Sequence, residues 1–190
     1  MSRFSCFSLV FSMVFSLVCF LCLPGSLFLP GPILTAQETV AGITEQEDVN
    51  ASYFWVVRHA DRDGKKDALT KRGFDRAEAL RHLAMKMKVD AVYSTDLTRT
   101  KLTAKPTANE FKKEILIYRK LTKEWFEEIK KKHASKGVVL IVGHSNTVVP
   151  IVRGLGGNLK DKIAENQYGD LFVVKVSQGK TTVSRVQFGN

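Results

Sequence analysis

The chain has no cysteine after residue 22, although it is 190 residues long. Its three cysteines, Cys6, Cys19 and Cys22, all lie in the apolar N-terminal segment. The rest of the chain therefore has no disulfide, no thiolate metal ligand and no cysteine nucleophile. No cluster of acidic residues has ligand spacing either, so the sequence predicts no metal site and no cofactor.

Charge is almost missing from residues 1–36, where Arg3 is the single charged side chain. An apolar run from Phe4 to Leu23 follows Arg3, and a Pro- and Gly-containing stretch ends near Ala36. A basic start, an apolar centre and a small residue before the first acidic one are typical of a secretory signal. We expect cleavage after Ala36 and export to the periplasm or the medium. An uncleaved membrane anchor is the alternative, because about 20 apolar residues can span a bilayer.

The residues after this segment divide into a short polar stretch and a longer part that can fold. Residues 37–52 are polar and acidic without periodicity, which predicts a flexible linker. Residues 53–190 are enough for one domain with one core. They carry 28 basic and 15 acidic side chains, hence a net charge of +13. Such a field attracts phosphate esters, nucleic acids or anionic membranes, and charge alone does not choose among them.

Short apolar runs alternate with amphipathic segments along residues 53–190. The runs predict strands at 53–57, 90–93, 115–118, 138–142, 171–176 and 181–187. Helices are predicted from residue 70 onward and at 97–111, 123–135 and 146–155. This alternation predicts an α/β fold, a three-layer sandwich with a mainly parallel central sheet flanked by helices. Ligands of such sheets bind beyond the carboxyl ends of the strands.

Three of these strands end in polar motifs that should meet at one edge of the sheet. The motifs are Arg58-His59-Ala60-Asp61, Ser94-Thr95-Asp96-Leu97-Thr98-Arg99 and Gly143-His144-Ser145-Asn146. Guanidinium groups match phosphate oxygens in two-point geometry. The helix that begins after His144 offers free N–H groups to the same anion. A neutral imidazole can attack phosphorus and carry the phosphoryl group, so the sequence predicts a phosphate site with a histidine nucleophile.

Four motifs, in order along the chain, resemble those of the histidine phosphatase superfamily, which includes phosphoglycerate mutases, acid phosphatases and phosphohistidine phosphatases. They are Val57-Arg58-His59-Ala60, Leu69–Gly73, Tyr93–Ala104 and Val142–Asn146. The resemblance covers about residues 54–174 and implies a phosphoglycerate mutase-like fold that hydrolyses phosphomonoesters through a phosphohistidine. It implies that His59 is the nucleophile and that the phosphate pocket includes Arg58, Arg99, His144, Ser145 and Asn146. It implies no metal.

The proton donor has two candidates in the sequence. Asp61 stands two residues after His59, where many members of the family have glutamate, and is the first candidate. Glu124 is the second, because the family's acid is often a glutamate after the third strand. The domain lacks the long insertion that covers the site in the mutases, which favours an exposed, bulky substrate over mutase activity.

Other interpretations are weaker, and one stays open. Residues 143–147 resemble a serine nucleophile elbow, but no glycine stands at Thr147 and no histidine follows His144. Residues 61–72 resemble a calcium loop, but Arg72 replaces the bidentate glutamate. A catalytically impaired phosphate-binding module on the same fold remains the alternative function, because catalysis needs a proton donor as well as a pocket.

The expected partners follow from the basic pocket and the N-terminal segment. We expect a small phosphorylated substrate or a phosphorylated envelope or protein group. We expect no nucleic acid, and contact with a membrane only through the N-terminal segment if it is not cleaved. His82 and His133 lie among charged residues of predicted helices and are expected to be solvated.

Overall fold

The computed structural model describes residues 51–134 and 137–189. The predicted signal segment, 1–36, and the predicted linker up to residue 50 lie outside the described residues. The described residues begin at Ala51, which is buried, and the first strand already includes Ser52. The first strand therefore begins one residue before its predicted start at residue 53.

The order of strands and helices agrees with the sequence prediction. In chain order the described residues form β1 (Ser52–Arg58), α1 (Lys71–Ala84), β2 (Val89–Ser94), α2 (Thr98–Glu110), β3 (Ile115–Ile117), α3 (Lys123–Lys132), β4 (Val138–Gly143), α4 (Ser145–Gly154), β5 (Asp170–Ser177) and β6 (Lys180–Gln187). In the part of the chain that the structure describes, none of the helices is long and apolar enough to cross a bilayer.

One sheet contains all six strands in the order β3-β2-β4-β1-β5-β6. The pairs β3–β2, β2–β4 and β4–β1 are parallel, whereas β1–β5 and β5–β6 are antiparallel. The prediction of a mainly parallel sheet is therefore confirmed. Val142 of β4 lies opposite both Val57 of β1 and Ser94 of β2. This register brings the carboxyl ends of the three motif-bearing strands to adjacent positions.

Alternate side chains of β1 pack into two separate cores, one on each face of the sheet. Phe54 and Val56 belong to a cluster with buried residues of α3 and α4, such as Phe126 and Ile151. The intervening residues of β1 belong to a second cluster with residues of α1 and α2. Helices thus cover both faces, which confirms the three-layer α/β sandwich and explains why β1 is apolar from Tyr53 to Val57.

The segment between β1 and α1 is held closely against that helix. Thr70 caps α1, since its side-chain oxygen accepts a hydrogen bond from the backbone N–H of Gly73. The Thr70 backbone N–H in turn donates to the carbonyl oxygen of Asp61. A Cβ atom at Gly73 would collide with that same carbonyl. The glycine of the second motif is therefore needed for the close approach of α1 to the segment that follows His59.

Candidate active site

His59 follows the last residue of β1 and is almost completely buried. Its backbone N–H donates to the carbonyl oxygen of Gly143, at the end of the neighbouring strand β4. Its Nδ1 atom lies 2.8 Å from the carbonyl oxygen of Ala60. A carbonyl can only accept, so Nδ1 must carry the proton. The lone pair of the neutral ring is then on Nε2, which leaves that atom available as a nucleophile.

The surroundings of His59 favour this neutral ring. Burial, together with the positive charges of Arg58 and Arg99, lowers the pKa of His59 to about 4, although the hydrogen bond to Ala60 works in the opposite direction. Near neutral pH the imidazole is therefore neutral, with no proton on Nε2, as a nucleophile must be.

His144 lies beside His59, with 5.5 Å between the two ring centroids. Its Nε2 atom is 3.0 Å from Oγ1 of Thr95, which follows β2. Burial and the charge of Arg99 lower the pKa of His144 to about 4, so this ring is also neutral near pH 7. The backbone N–H of His144 donates to Oγ1 of Thr147, 2.7 Å away in the first turn of α4. Three strand ends thus contribute to one cluster, as the sequence predicted.

Arg99 lies in the first turn of α2 and is fixed by a carboxylate distant in sequence. Asp67 accepts hydrogen bonds from the backbone N–H groups of Thr98 and Arg99 and from Nη1 of Arg99. Burial opposes ionisation of Asp67, but these hydrogen bonds outweigh it and lower its pKa to about 2. Nη2 of Arg99 is 3.4 Å from Nδ1 of His144. Asp67 therefore caps α2 and orients Arg99 towards the histidines.

The guanidinium group of Arg58 is held by the loop before β5. Nη1 donates to the carbonyl oxygens of Ala164, Glu165 and Gln167. The guanidinium carbon lies 4.2 Å from the ring centroid of Tyr168, a stacked cation–π arrangement. Most N–H donors of Arg58 are thus bound to protein groups. Few of them remain free to bind a phosphate, the role that was predicted for this residue.

Two donors of the site have no protein partner. Among the described residues, Nε of Arg58 and Nε of Arg99 are both buried and make no hydrogen bond. Buried polar atoms are nearly always paired, so two orphaned donors on the arginines whose charges act on His59 need an explanation. A tetrahedral anion bound in front of His59 is the group that could accept from both. We find this the strongest sign of an anion site in the described residues.

The structure adds three residues to the site that the sequence did not indicate. Glu165 accepts a hydrogen bond of 2.6 Å from Oγ of Ser145 and lies 3.3 Å from Nη2 of Arg58. The Tyr168 ring centroid is 6.0 Å from that of His59. The positive charge of Arg62 acts on Arg58 and on Glu165. No sequence signal identified these residues, because the loop that holds Glu165 and Tyr168 has neither a motif nor a periodicity.

The carboxylate of Asp61, the first predicted proton donor, is paired with arginines of α1. It forms a 2.6 Å ion pair with Nε of Arg76, a buried residue of α1, and a 3.5 Å ion pair with Arg72. Since the backbone carbonyl of Asp61 also binds α1, the whole residue faces that helix. A carboxylate paired with two arginines of α1 is not directed at a leaving group in front of His59. The geometry therefore argues against the assignment of Asp61 as the acid.

Glu124, the second candidate, is exposed at the N-terminus of α3. Hydrogen bonds to its own backbone N–H and to the Thr122 side chain lower its pKa, which is typical of a helix cap. No contact joins it to either histidine in the described residues. Glu124 contributes to the start of a helix and is not brought to the histidine cluster.

The remaining predicted site residues lie at the start of α4. Ser145 donates to Glu165, and Asn146 is exposed beside it. Both line a cavity along α4. Within residues 51–134 and 137–189 no three His, Cys, Asp or Glu side chains cluster so as to hold a metal ion.

The two histidines outside the site differ from each other. His82 is exposed on α1, as expected. The expectation that His133 is solvated was wrong, because its Nε2 lies 3.0 Å from the hydroxyl oxygen of Tyr93 and its ring is half-buried. The ring packs edge-on against Tyr93, and burial lowers its pKa. Its apolar packing, not a functional partner, accounts for its position.

Comparison with known proteins places these motifs in a family. The sequence model of the histidine phosphatase superfamily (branch 1) matches residues 54–123, which contain His59 and Arg99. No match was found among curated proteins.

Solved structures with the same fold are numerous and distant in sequence. The glucosyl-3-phosphoglycerate phosphatase of a mycobacterium is similar with a TM-score of 0.57 at 11% identity, over 73% of this chain and 99% of that one. A putative alpha-ribazole-5'-P phosphatase of Escherichia coli has a TM-score of 0.54 at 15% identity, over 73% and 97%. A putative phosphohistidine phosphatase of Nakamurella multipartitia has a TM-score of 0.50 at 18% identity, over 73% and 96%.

The family model, the order of the motifs and the fold agree, and the sequence resemblance is thereby confirmed. Residues 54–123 match the histidine phosphatase superfamily (branch 1), and the similarity to the solved structures is one of fold.

Proposed function

We propose that the protein is a phosphatase that hydrolyses phosphomonoesters through a covalent phosphohistidine on His59. The proposal rests on the groups that surround His59. Nδ1 of His59 is fixed on the carbonyl oxygen of Ala60, and the two orphaned Nε donors belong to Arg58 and Arg99, whose charges act on His59. The lone pair on Nε2 and the donors for the phosphoryl oxygens thus come from one cluster.

The proposed reaction has two steps. In the first, Nε2 of His59 attacks phosphorus, an N–P bond forms, and the P–O bond to the leaving group breaks. The proton on Nδ1 stays in its hydrogen bond to Ala60, which stabilises the positive phosphoimidazole ring. In the second, water attacks phosphorus, the N–P bond breaks, and phosphate leaves. Arg58 and Arg99 stabilise the charge on the equatorial oxygens in both steps.

A leaving alkoxide needs a proton, and we assign its donation to Glu165. This carboxylate contacts Ser145, which follows His144, and Arg58, which precedes His59. The hydrogen bond from Ser145 and the charge of Arg58 lower its pKa. A bound phosphate dianion competes for both partners and repels the carboxylate, so substrate binding raises the pKa of Glu165 towards protonation. In the second step the same carboxylate takes a proton from the attacking water.

The direct test is His59→Gln, with His82→Gln as the matched control because His82 is exposed on α1. We expect His59→Gln to lower kcat on 4-nitrophenyl phosphate by at least about a thousandfold without a change in the far-UV circular dichroism spectrum. Wild type quenched during turnover of a labelled phosphomonoester should retain label that is stable in alkali and lost in acid, as an N–P bond is. Turnover by His59→Gln within a few fold of wild type would refute the nucleophile. A correctly folded wild type that neither turns over nor takes up label would favour the phosphate-binding module instead.

We further propose that the reaction needs no metal, since two arginines supply the positive charge that a metal would provide. Dialysis against a chelator should leave kcat unchanged, and vanadate should inhibit. Loss of activity that a divalent ion restores would refute this part of the proposal.

Export is proposed on the sequence of residues 1–36 alone. The substrate would then be a small phosphorylated compound or a phosphorylated envelope or protein group, with no nucleic acid involved. Fractionation of cells that express the full chain is the test. Active protein shortened near Ala36 outside the cytoplasm is the expected result, full-length protein in washed membranes would favour the anchor, and full-length protein in the cytoplasm would refute export.

A further inference from the structure

A cavity of about 430 Å³ opens beside the histidine cluster, along α4. It is within the range of about 300–1,000 Å³ that small-molecule sites occupy. Ser145 and Glu165 form the end of the cavity near the site. Since Ser145 follows His144 directly and Glu165 is paired with Arg58, the cavity begins next to the site, and neither histidine is part of its lining.

The middle of the cavity is apolar and its far part is cationic. Val149, Pro150 and Ile163 provide apolar lining, whereas Arg153, Lys160 and Lys162 provide three positive charges. No carboxylate among the described residues forms a salt bridge with any of these three cations. The only acid in the lining is Glu165, whose charge is already paired with Arg58.

The spacing between the two ends follows from helix geometry. Arg153 lies eight positions after Ser145 in α4, which is about 12 Å along the axis at 1.5 Å per residue. The Nε atom of Arg153 donates to the carbonyl oxygen of Leu159, which fixes this arginine beside the segment that bears the two lysines.

From this arrangement we infer that the cavity binds the leaving group of the substrate, and that this group carries a second anion beyond an apolar segment. The second anion, a carboxylate or a phosphate, contacts Lys160, Lys162 and Arg153, away from the end of the cavity that Ser145 forms. The apolar segment lies on Val149, Pro150 and Ile163. This inference rests on the proposed phosphatase function and names its substrate class.

The test compares aryl phosphates that differ in one charge. The probes are 4-carboxyphenyl phosphate and its 4-carbamoyl analogue, together with the corresponding longer pair built on biphenyl. The carbamoyl group has the shape of the carboxylate without its charge. We expect kcat/KM of the wild type to be at least about fivefold higher for the carboxylate in one of the two pairs, the effect of about 1 kcal/mol from exposed ion pairs.

The double variant Lys160→Gln/Lys162→Gln should bring this ratio to about one. The matched control is Lys131→Gln/Lys132→Gln, which removes the same charge from exposed positions at the end of α3. It should keep the wild-type ratio, because the effect comes from local contacts and not from net charge.

The outcomes separate the two proposals. Equal kcat/KM within both pairs, with all probes hydrolysed, would overturn the second-anion inference and leave the phosphatase proposal standing. An equal drop in the ratio in both double variants would also overturn it, because it would assign the preference to the long-range field. If a folded wild type hydrolyses none of the probes, the phosphatase proposal fails and the inference fails with it.

Discussion

Asp67 binds both the backbone and the side chain of Arg99. Its Oδ1 atom lies 3.1 Å from the backbone nitrogen of Arg99 and 3.0 Å from Nη1 of the same residue. The two residues are 32 positions apart, so this contact connects the loop after β1 to the start of α2. Asp67 touches neither histidine. Its charge acts on His144 from a distance, whereas its contacts are with Arg99, so its main effect on a bound anion should come from the position of Arg99.

Asp67→Asn should therefore weaken anion binding. Asparagine keeps one acceptor but loses the charge that Arg99 pairs with, so the guanidinium group is less well oriented. We expect about tenfold weaker inhibition by vanadate, the equivalent of 1.4 kcal/mol. Asp63→Asn is the matched control, because Asp63 is an exposed aspartate of the same loop whose partner is Lys66.

A double-mutant cycle distinguishes positioning of Arg99 from a general structural effect. In the Arg99→Gln background, Asp67→Asn should change vanadate inhibition by less than about twofold, because coupled residues are non-additive. A full tenfold effect in that background would contradict a role through Arg99.

The two low histidine pKa values also predict how stability depends on pH. The pKa of His59 and that of His144 fall from 6.5 to about 4 on folding. Between these values the unfolded chain binds more protons than the folded one, so stability is fully present above pH 6.5 and decreases as pH falls towards 4. The expected loss is on the order of a few kcal/mol.

Urea unfolding at pH 7 and pH 4.5 measures this loss, and the double variant His59→Gln/His144→Gln is the comparison. The variant should lose distinctly less stability than wild type over the same interval. The stability that the variant still loses includes a contribution from His133, because burial also lowers the pKa of that histidine. The low pKa of Asp67 contributes below about pH 4, outside this interval. Equal losses in both proteins would contradict the low pKa values of the site histidines.

The ion pair between Asp61 and Arg76 predicts a structural role for the aspartate. Asp61→Asn leaves the buried guanidinium group of Arg76 with an uncharged partner, so we expect unfolding to become easier by about 2–3 kcal/mol. Asp75→Asn is the control, because its partner Lys71 is almost fully exposed. If folded Asp61→Asn loses activity, kcat/KM should fall by the same factor for alkyl phosphates and for nitrophenyl phosphate. A selective loss on alkyl phosphates would restore Asp61 as the proton donor.

The sequence was sufficient for the strands and for the residues at their carboxyl ends. Parallel strands buried on both faces are short apolar runs, and the parallel order carries the residues after Val57, Ser94 and Val142 to one edge. Side-chain direction was not predictable in the same way. Asp61 is two residues from His59, but the hydrogen bond between its carbonyl group and Thr70 turns it towards α1.

Glu165 could not be found from local patterns, because its place depends on the order of the strands. The loop that contains it precedes β5, which pairs antiparallel with β1. That pairing carries Glu165 to Arg58, 107 residues earlier in the chain. The sheet topology thus brings a carboxylate to Arg58, the residue before the nucleophile.

Glu165→Gln tests the assignment of the proton donor. Alkyl phosphates need a protonated leaving group, whereas 4-nitrophenolate leaves without a proton. We therefore expect kcat/KM to fall by at least about a hundredfold for an alkyl phosphate and by less than about fivefold for 4-nitrophenyl phosphate. kcat/KM is the suitable quantity, because it reports on the transfer to His59 and not on later hydrolysis. Glu124→Gln is the matched control and should change neither value by more than about twofold.

The pH profile gives an independent measure of the same proton. Since the hydrogen bond from Ser145 and the charge of Arg58 lower the pKa of Glu165, its protonated fraction decreases as pH rises above the acidic range. Wild-type kcat/KM for an alkyl phosphate should therefore decline with rising pH, and that decline should be absent in Glu165→Gln. The nitrophenyl ester should show no such decline in either protein. If Glu165→Gln slows both esters equally and keeps the decline, Glu165 only holds Arg58 and Ser145 in place, and the proton comes from another group.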